Sequence, residues 1–244
     1  MNNYWTNKEE LKAKAIYHTS LVGIRLKDQT NYSISKSAIY TGPIDILSYP
    51  EKRYETKIIV DSIDSVKAIN KYNNQGYSSP YVSVLNFASY KNPGGKFLEG
   101  SSAQEESLCH ASNLYNVLSE LKDYYEWNKK HLSKALYMDR AVFSPSIVFL
   151  TKRNCYEACN VITCAAPNYT AAKRYCNVSE EDNIEALKSR INFLLTVLAI
   201  NNQKTIILGA FGCGVFGQNP TIVANIFKEF LNTKFNGVFE NVVF

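Results

Sequence analysis

The sequence predicts an α/β fold in which a central sheet is covered by helices on both faces. Segments typical of strands alternate with segments of helical periodicity along most of the 244 residues. Several strand segments are almost continuously apolar, as in Tyr81-Val82-Ser83-Val84-Leu85, which is typical of strands buried on both faces. This alternation favours a layered α/β sheet over separate all-α or all-β units.

The N-terminal part of the chain is less regular. Apolar positions at helical spacing predict a helix over 8–21. The stretch 22–55 is mixed and has short β-like runs at Val22–Ile24 and Ile44–Leu47. We interpret residues 1–56 as an N-terminal helical and irregular extension that packs with the main domain as one unit.

The main domain is expected to span residues 57–244, because no repeat, linker or low-complexity segment divides this part of the sequence. Strands are predicted at 57–60, 81–85, 146–150, 160–164, 205–208 and 242–244. Helices are predicted at about 64–74, 103–121, 122–138, 181–201 and 219–233.

Composition and charge are those of an ordinary globular protein, with 45% hydrophobic and 20% charged residues and a net charge of +5. The positive charge is spread along the sequence, which suits an anionic ligand but forms no basic stripe, so no obligate nucleic-acid partner is expected. No apolar run in the sequence reaches the roughly 18 residues of a membrane helix, and the N-terminus lacks a signal-peptide pattern. We therefore expect no membrane partner, a cytoplasmic location and a monomer.

The six cysteines are expected to be free thiols, since nothing in the sequence directs the chain to an oxidising compartment. Three of them follow the pattern Cys155-x3-Cys159-x4-Cys164, which fits no common zinc site. Neither a metal nor a cofactor is expected.

Two glycine-rich loops follow predicted strands and precede predicted helices, which is where ligands bind in open α/β sheets. The second of them, Gly209 to Pro220, begins with four glycines in nine residues. Glycines allow positive φ angles and close backbone approach, so that successive N–H groups can converge on an anion. A simple strand-to-helix turn is the alternative, but a turn needs only one or two glycines. We therefore favour a ligand-binding loop.

The first loop runs from Asn86 to Ser102 and leads into the helix start Gln104-Glu105-Glu106. Ser102 and Glu105 have the spacing of a capping box, and the helix dipole favours acidic residues in a first turn. A capping role explains why an acidic residue stands at position 105, but it does not explain the second acidic residue, Glu106. Helical geometry turns both glutamates by more than about 100° from the apolar face of the helix. Either they are solvated or they face a ligand held by the loop, and geometry alone leaves both alternatives open.

Four segments together resemble the microbial-type poly(ADP-ribose) glycohydrolases, a branch of the macrodomain fold. They are Asn86-Phe87-Ala88-Ser89, Asn92-Pro93-Gly94-Gly95, Gln104-Glu105-Glu106 and the loop from Gly209 to Pro220. The resemblance covers about residues 57–244, and the N-terminal helix and Tyr40-Thr41-Gly42 are similar to that family's accessory region. The resemblance implies a macrodomain-like three-layer α/β/α fold with a mixed central sheet and an N-terminal accessory extension.

The resemblance also implies an activity, the hydrolysis of ribose–ribose O-glycosidic bonds in poly(ADP-ribose) to release ADP-ribose. It implies that Glu106 is the catalytic carboxyl, acting as general acid and base, and that Glu105 contacts a ribose hydroxyl. The expected partners are ADP-ribose and poly(ADP-ribose) or ADP-ribosylated targets. The further residues expected to bind ADP-ribose are Asn86, Gly94, Gly95, Lys96, Gln104, Asn168, Gly209, Gly212, Cys213, Gly214, Val215 and Phe216.

The sequence departs from that family at Lys96, where a third glycine is usual. If this position needs positive φ, lysine costs about 1 kcal/mol or more, although its ammonium could also reach a phosphate. Two alternatives to a polymer hydrolase follow from Lys96. One is an ADP-ribose reader whose hydrolysis is weakened by this lysine, and the other is a mono-ADP-ribosyl hydrolase acting on protein or nucleic acid, with its activity altered by the same residue. An intact Gln104-Glu105-Glu106 favours an enzyme, because a reader has no need of the second glutamate.

Overall fold

The computed structural model describes residues 3–44, 52–73, 81–152 and 155–244. The described strands are β1 (Ala38–Thr41), β2 (Lys57–Ile59), β3 (Val82–Phe87), β4 (Arg140–Lys152), β5 (Cys155–Cys164), β6 (Thr205–Ile207) and β7 (Asn241–Val243). They form one mixed sheet in the order β1-β4-β5-β3-β6-β7-β2. Neighbours from β5 to β2 are parallel, whereas β4 is antiparallel to both β5 and β1.

Helices lie on both faces of this sheet. They are α1 (Asn3–Arg25), α2 (Lys27–Lys36), α3 (Ser65–Tyr72), α4 (Gln104–His110), α5 (Leu114–Leu118), α6 (Lys122–Lys130), α7 (Tyr169–Cys176), α8 (Glu180–Ile200) and α9 (Pro220–Asn232). One apolar cluster joins the sheet to α8 and α9 through residues such as Leu187 and Phe227. A second joins the other face to α1, α3 and α4–α6 through Ala15, Leu108 and Val117. The predicted three-layer fold with a mixed sheet is therefore confirmed. None of the described helices combines the length and apolar character needed to cross a membrane.

The N-terminal region differs from the prediction in two places. The β-like run Val22–Ile24 is helical, because α1 continues to Arg25 and packs Val22 against Val148 of β4. Of the run Ile44–Leu47, only Ile44 lies within the described residues, and it lies outside a strand. β1 was not predicted and pairs with β4, so the N-terminal region contributes an edge strand to the main sheet. The division between residues 56 and 57 stays a prediction.

Two predicted helices are shorter in the structure. The helix expected over 103–121 is interrupted between α4 and α5, where the Ser112 hydroxyl donates to the Leu108 carbonyl oxygen and accepts from the Leu114 N–H. The helix expected over 122–138 ends at Lys130, because the following segment 133–137 contains four residues with positive φ. Helix α7 was not predicted, and β4 begins at Arg140 instead of at 146.

The topology brings several loops to one edge of the sheet. Parallel strands β3, β5 and β6 all end at this edge. β4 begins there, because Ala141 pairs with Cys164, and β1 ends there, because Thr41 pairs with Arg140. Loops that meet at the carboxyl ends of parallel strands are the usual place for a ligand in this kind of sheet.

Candidate active site

A cavity of about 430 Å³ lies at this edge and is lined by both glycine-rich loops and the start of α4. It collects most of the residues predicted from the sequence to bind ADP-ribose or to act in catalysis. Those lining the cavity are Gly95, Lys96, Gln104, Glu105, Glu106, Asn168, Gly212, Gly214, Val215 and Phe216. Two loops that are more than a hundred residues apart in the sequence thus line the same cavity.

Asn86 and Gly94 lie behind the cavity wall instead of lining it. Asn86 is fully buried, and its Nδ2 donates to Glu105 Oε1 over 3.2 Å. A Cβ on Gly94 would lie 2.8 Å from the ring of Tyr115. Asn86 therefore positions Glu105, and Gly94 allows the loop to pack closely on Tyr115.

Gly209 and Cys213 of the second loop are also absent from the cavity lining. Gly209 packs against the ring of Phe87, which would lie 2.9 Å from a Cβ at this position. Cys213 is half-buried, and its Sγ lies 3.8 Å from the carbonyl oxygen of Phe211. These two residues shape the loop from within.

Glu105 is held inside the protein at the end of β3. Its Oε2 accepts a hydrogen bond of 2.7 Å from the Ser89 N–H. Burial raises the pKa of Glu105 to about 8, against the hydrogen bonds from Ser89 and Asn86, which lower it. The capping-box prediction is wrong, since α4 begins after Ala103 without a side-chain cap and the Glu105 carboxyl is turned towards the β3 loop.

Glu106 differs from Glu105 in that only one of its two carboxyl oxygens has a hydrogen-bond partner among the described residues. Its Oε1 accepts a hydrogen bond of 2.9 Å from the Lys96 N–H. Its Oε2 is buried and has no hydrogen-bond partner among the described residues. A buried polar atom without a partner is costly, so this oxygen is suited to a group supplied by a ligand.

Gly95 permits the loop to pass directly over the two carboxyl groups. It has φ +62°, and a Cβ here would lie 2.6 Å from Glu106 Oε1 and 2.9 Å from Glu105 Oε2. Because both the backbone angle and the contact exclude a side chain, this position requires glycine.

Lys96 is accommodated without strain. Its φ of −111° lies outside the left-handed region, so the expected penalty for replacing a glycine does not arise. Its side chain is 69% exposed, and Nζ lies 3.9 Å from Glu99 Oε2. The backbone of Lys96 contributes to the site through its N–H, and the lysine introduces no backbone strain that would weaken hydrolysis.

Gln104 fastens the start of α4 to the end of β3. Its Oε1 accepts from the Phe87 N–H over 2.9 Å, and its Nε2 donates to the Leu85 carbonyl oxygen over 2.9 Å. The side chain thereby continues the hydrogen-bonding of the strand and fixes where the following two glutamates point.

The second loop offers backbone donors to an anion. The N–H groups of Gly214, Val215 and Phe216 have no hydrogen-bond acceptor among the described residues. A Cβ on Gly214 would meet nothing within 4 Å, and Val215 is 85% exposed. Successive backbone N–H groups without a protein acceptor are the kind of donors from which anion-binding concavities are built.

Two tyrosines that the sequence did not indicate complete the cavity. Tyr90 and Tyr137 both line it and stack on each other, with ring centroids 4.2 Å apart. Tyr137 also lies edge-on to Phe216 at 6.1 Å. No motif marks Tyr137, whose position depends on the left-handed backbone that follows α6. Asn168 caps α7 by accepting from the Ala171 N–H.

The cysteines near the site are buried thiols. Cys109 is fully buried, and burial together with the two glutamates raises its pKa well above the usual value. Cys159 and Cys164 are likewise fully buried in β5. In the described part of the chain, no group of three or more His, Cys, Asp or Glu side chains is placed to hold a metal ion.

The fold and the site together define a macrodomain-like α/β protein, in which the Glu105-Glu106 pair and the second glycine-rich loop line one cavity. The family model for the microbial-type poly(ADP-ribose) glycohydrolase catalytic domain matches residues 7–152. The chain therefore belongs to this family, and the assignment from its motifs is confirmed.

Solved structures of this family share the fold along most of their length. The poly(ADP-ribose) glycohydrolase of Thermomonospora curvata, bound to the inhibitor ADP-HPD, is 26% identical with a TM-score of 0.83. That comparison covers 97% of this chain and 92% of the other. The enzyme of Deinococcus radiodurans in complex with ADP-ribose is 30% identical with a TM-score of 0.76, covering 88% and 89%. Among curated protein sequences, no significant match was found.

Proposed function

We propose that this poly(ADP-ribose) glycohydrolase releases ADP-ribose by general acid–base catalysis from Glu106. The observation that carries this assignment is the state of the Glu106 carboxyl group. The Lys96 N–H orients one oxygen, while the other is buried at the cavity wall without a partner among the described residues. Glu105, by contrast, has both oxygens engaged by Ser89 and Asn86.

The reaction requires one proton to be given and one to be taken. The protonated Glu106 carboxyl donates to the ribose oxygen that leaves, and the bond between this oxygen and the anomeric carbon breaks. The electron pair stays with the oxygen, and an oxocarbenium-like centre forms on the distal ribose. Water then attacks the anomeric carbon and gives a proton to the Glu106 carboxylate. The products are free ADP-ribose and a shortened polymer, and Glu106 regains its starting state.

The remaining groups of the cavity support this chemistry by holding the ligand. The N–H groups of the second loop bind the diphosphate, whose negative charge stabilises the positive charge that develops on the ribose. Phe216 and Tyr137 pack against the distal ribose, and Glu105 contacts a ribose hydroxyl. Poly(ADP-ribose) and ADP-ribosylated targets are the proposed substrates, whereas the monomeric state and the cytoplasmic location stay predictions.

An ADP-ribose reader is a weaker alternative. A reader would have no use for a second buried carboxyl group with an unpaired oxygen. Burying such an atom lowers the stability of the protein, and it would not increase the affinity for ADP-ribose. The case for impaired hydrolysis rested on strain at Lys96, and its negative φ removes that strain.

The test is the release of ADP-ribose from polymer by the wild type and by Glu106→Gln. We expect kcat to fall by about 10²–10⁴-fold in the variant, the usual contribution of a general acid–base group. The Kd for ADP-ribose should change by less than about threefold, since the amide is isosteric. The control is Glu99→Gln, whose side chain is 64% exposed. Equal turnover by the wild type and Glu106→Gln would refute the catalytic assignment. Tight ADP-ribose binding without turnover in the wild type would establish a reader.

A further inference from the structure

A second cavity, of about 390 Å³, lies beside the active site at the same edge of the sheet. It is formed by the residues that follow β1, those that precede β4, and one side of α8. Tyr137 lines both this cavity and the active site. The two cavities are therefore neighbours that share Tyr137 as a lining residue.

The wall between the cavities is held in place. The ring of Tyr137 stacks on Tyr90 at an interplanar angle of 10°. The Tyr90 hydroxyl accepts a hydrogen bond of 3.3 Å from the Met138 N–H and donates to the His131 carbonyl oxygen. Both ends of the segment that carries Tyr137 are thus attached to the same tyrosine.

The second cavity is lined by two polar side chains whose hydrogen-bonding capacity is not filled by contacts among the described residues. Thr196 is 3% exposed, and its Oγ1 has no hydrogen-bond partner among the described residues. The Asp139 carboxylate is 22% exposed and is held by Arg190 Nε at 2.7 Å and by the Ser189 hydroxyl. A carboxylate has about four acceptor positions, so two bonds leave capacity for a ligand.

The lining also includes the polar Asn192 and several apolar side chains, among them Ile44, Tyr137 and Phe193. Polar and apolar groups contribute about equally to the wall of this cavity, and a space of this volume that offers both kinds of contact can hold a small organic ligand. The apolar and aromatic groups suit a planar base, and the hydroxyl and carboxylate suit its hydrogen-bonding edge.

We propose that this second cavity binds the nucleoside of the polymer unit that leaves when the glycosidic bond is cut. This inference rests on the proposed function. In a ribose–ribose linkage the leaving oxygen belongs to the ribose that carries the next adenine, so this nucleoside is the part of the leaving unit nearest to Glu106. With the distal ribose against Tyr137 on one side, the adenine reaches the cavity on the other. Its exocyclic amino group donates to the Asp139 carboxylate, and a ring nitrogen accepts from Thr196.

Two variants test the second cavity without touching the active site. Ala186→Phe fills the space from α8, and Thr196→Val removes the hydroxyl with little change in shape. Thr196→Val also removes a buried hydroxyl without a partner, so its melting temperature should equal or exceed that of the wild type. Glu185→Gln, on the exposed side of α8, is the matched control.

Each variant is assayed on two substrates, a dimer of ADP-ribose and an ADP-ribose whose distal ribose carries a small aromatic alcohol as leaving group. For the dimer, we expect kcat/KM to fall about tenfold in Ala186→Phe and about threefold to tenfold in Thr196→Val, the effect of one lost hydrogen bond. For the small substrate and for the Kd of ADP-ribose, changes should stay below about twofold.

Three results would overturn the inference. One is an unchanged kcat/KM for the dimer in both variants, and another is an equal fall for both substrates, which would indicate a general structural effect. The third is a wild type that cleaves neither substrate, which would remove the proposed function as well. If the wild type cleaves both substrates and the variants lose nothing on the dimer, only the second cavity's role fails.

Discussion

The backbone N–H of Lys96 donates a hydrogen bond of 2.9 Å to Oε1 of Glu106. The first glycine-rich loop, which lines the cavity, therefore also orients the Glu106 carboxyl group. Because the contact is made by the backbone and φ at this position is −111°, the side chain is free to vary. This explains how a residue other than glycine is accommodated at position 96 while its N–H keeps the contact with Glu106.

Lys96→Met should retain kcat within about twofold of the wild type. The ammonium is exposed and lies 3.9 Å from Glu99, and a surface ion pair of this kind contributes about 0–1 kcal/mol. Turnover of polymer and the Kd of ADP-ribose at two salt concentrations provide the measurement. A tenfold rise in Kd that disappears at high salt would instead show that the ammonium binds a phosphate.

Gly95→Ala should lower kcat at least about tenfold. A residue with a side chain costs about 1–2 kcal/mol in the left-handed region, and the new Cβ would displace both glutamate carboxyl groups. The measurement is kcat on polymer, together with the melting temperature. Gly214→Ala serves as the control for stability, because a Cβ there meets nothing within 4 Å. Wild-type kcat in Gly95→Ala would contradict the close approach of this loop to Glu106.

The sequence predicted the parts of the candidate site that are formed by residues adjacent in the chain. The glycines of both loops and the pair Glu105 and Glu106 are local patterns, and together they favour a ligand-binding site at this edge of the sheet. The direction of the Glu105 carboxyl could not be obtained in this way. It depends on donors from Ser89 and Asn86, which only the folded sheet brings to α4.

Tertiary contacts also decided the elements that were predicted incorrectly. Val22 has a β-branched side chain but lies in a helix, because α1 packs it on Val148 of β4. No sequence pattern marks Tyr137. The sequence around it has the periodicity of a helix, but in the folded protein four residues of the segment 133–137 have positive φ. The second cavity, which Tyr137 borders, was for this reason outside the reach of the sequence.

Glu105 should make the stability of the protein depend on pH. Its pKa is about 8 in the folded state against an ordinary value of 4.5, so the folded protein retains a proton that the unfolded chain releases. This contribution to stability is fully present below about pH 4.5 and is lost as the pH rises through about 8. Glu105→Gln keeps the shape without titrating.

The stability of Glu105→Gln relative to the wild type should therefore increase from pH 5 to pH 8 and level off above that. Urea unfolding at a series of pH values measures the difference, and Glu99→Gln provides an exposed control. A difference that is constant with pH, or that falls as the pH rises, would show that burial does not hold Glu105 protonated.

Arg190 should be a large contributor to stability. It is 1% exposed, and its guanidinium donates to Asp139, to the Ala165 carbonyl oxygen and to the Leu136 carbonyl oxygen. It thereby connects α8 to β5 and to the segment that carries Tyr137. Replacing it leaves the acceptors on these elements without their donor, a mechanism that typically costs several kcal/mol.

Arg190→Met should lower the free energy of unfolding by about 3 kcal/mol, at the low end for a broken buried pair because Asp139 keeps some contact with water. Asp139→Asn should lower the free energy of unfolding less in the Arg190→Met background than in the wild type, because the carboxylate has already lost its partner. Urea unfolding of the two single variants and the double variant measures this coupling. Strictly additive losses would mean that Arg190 stabilises the fold through the two carbonyl oxygens alone. In that case Asp139 is held mainly by Ser189, and its carboxylate is freer to accept a ligand than the ion pair suggests.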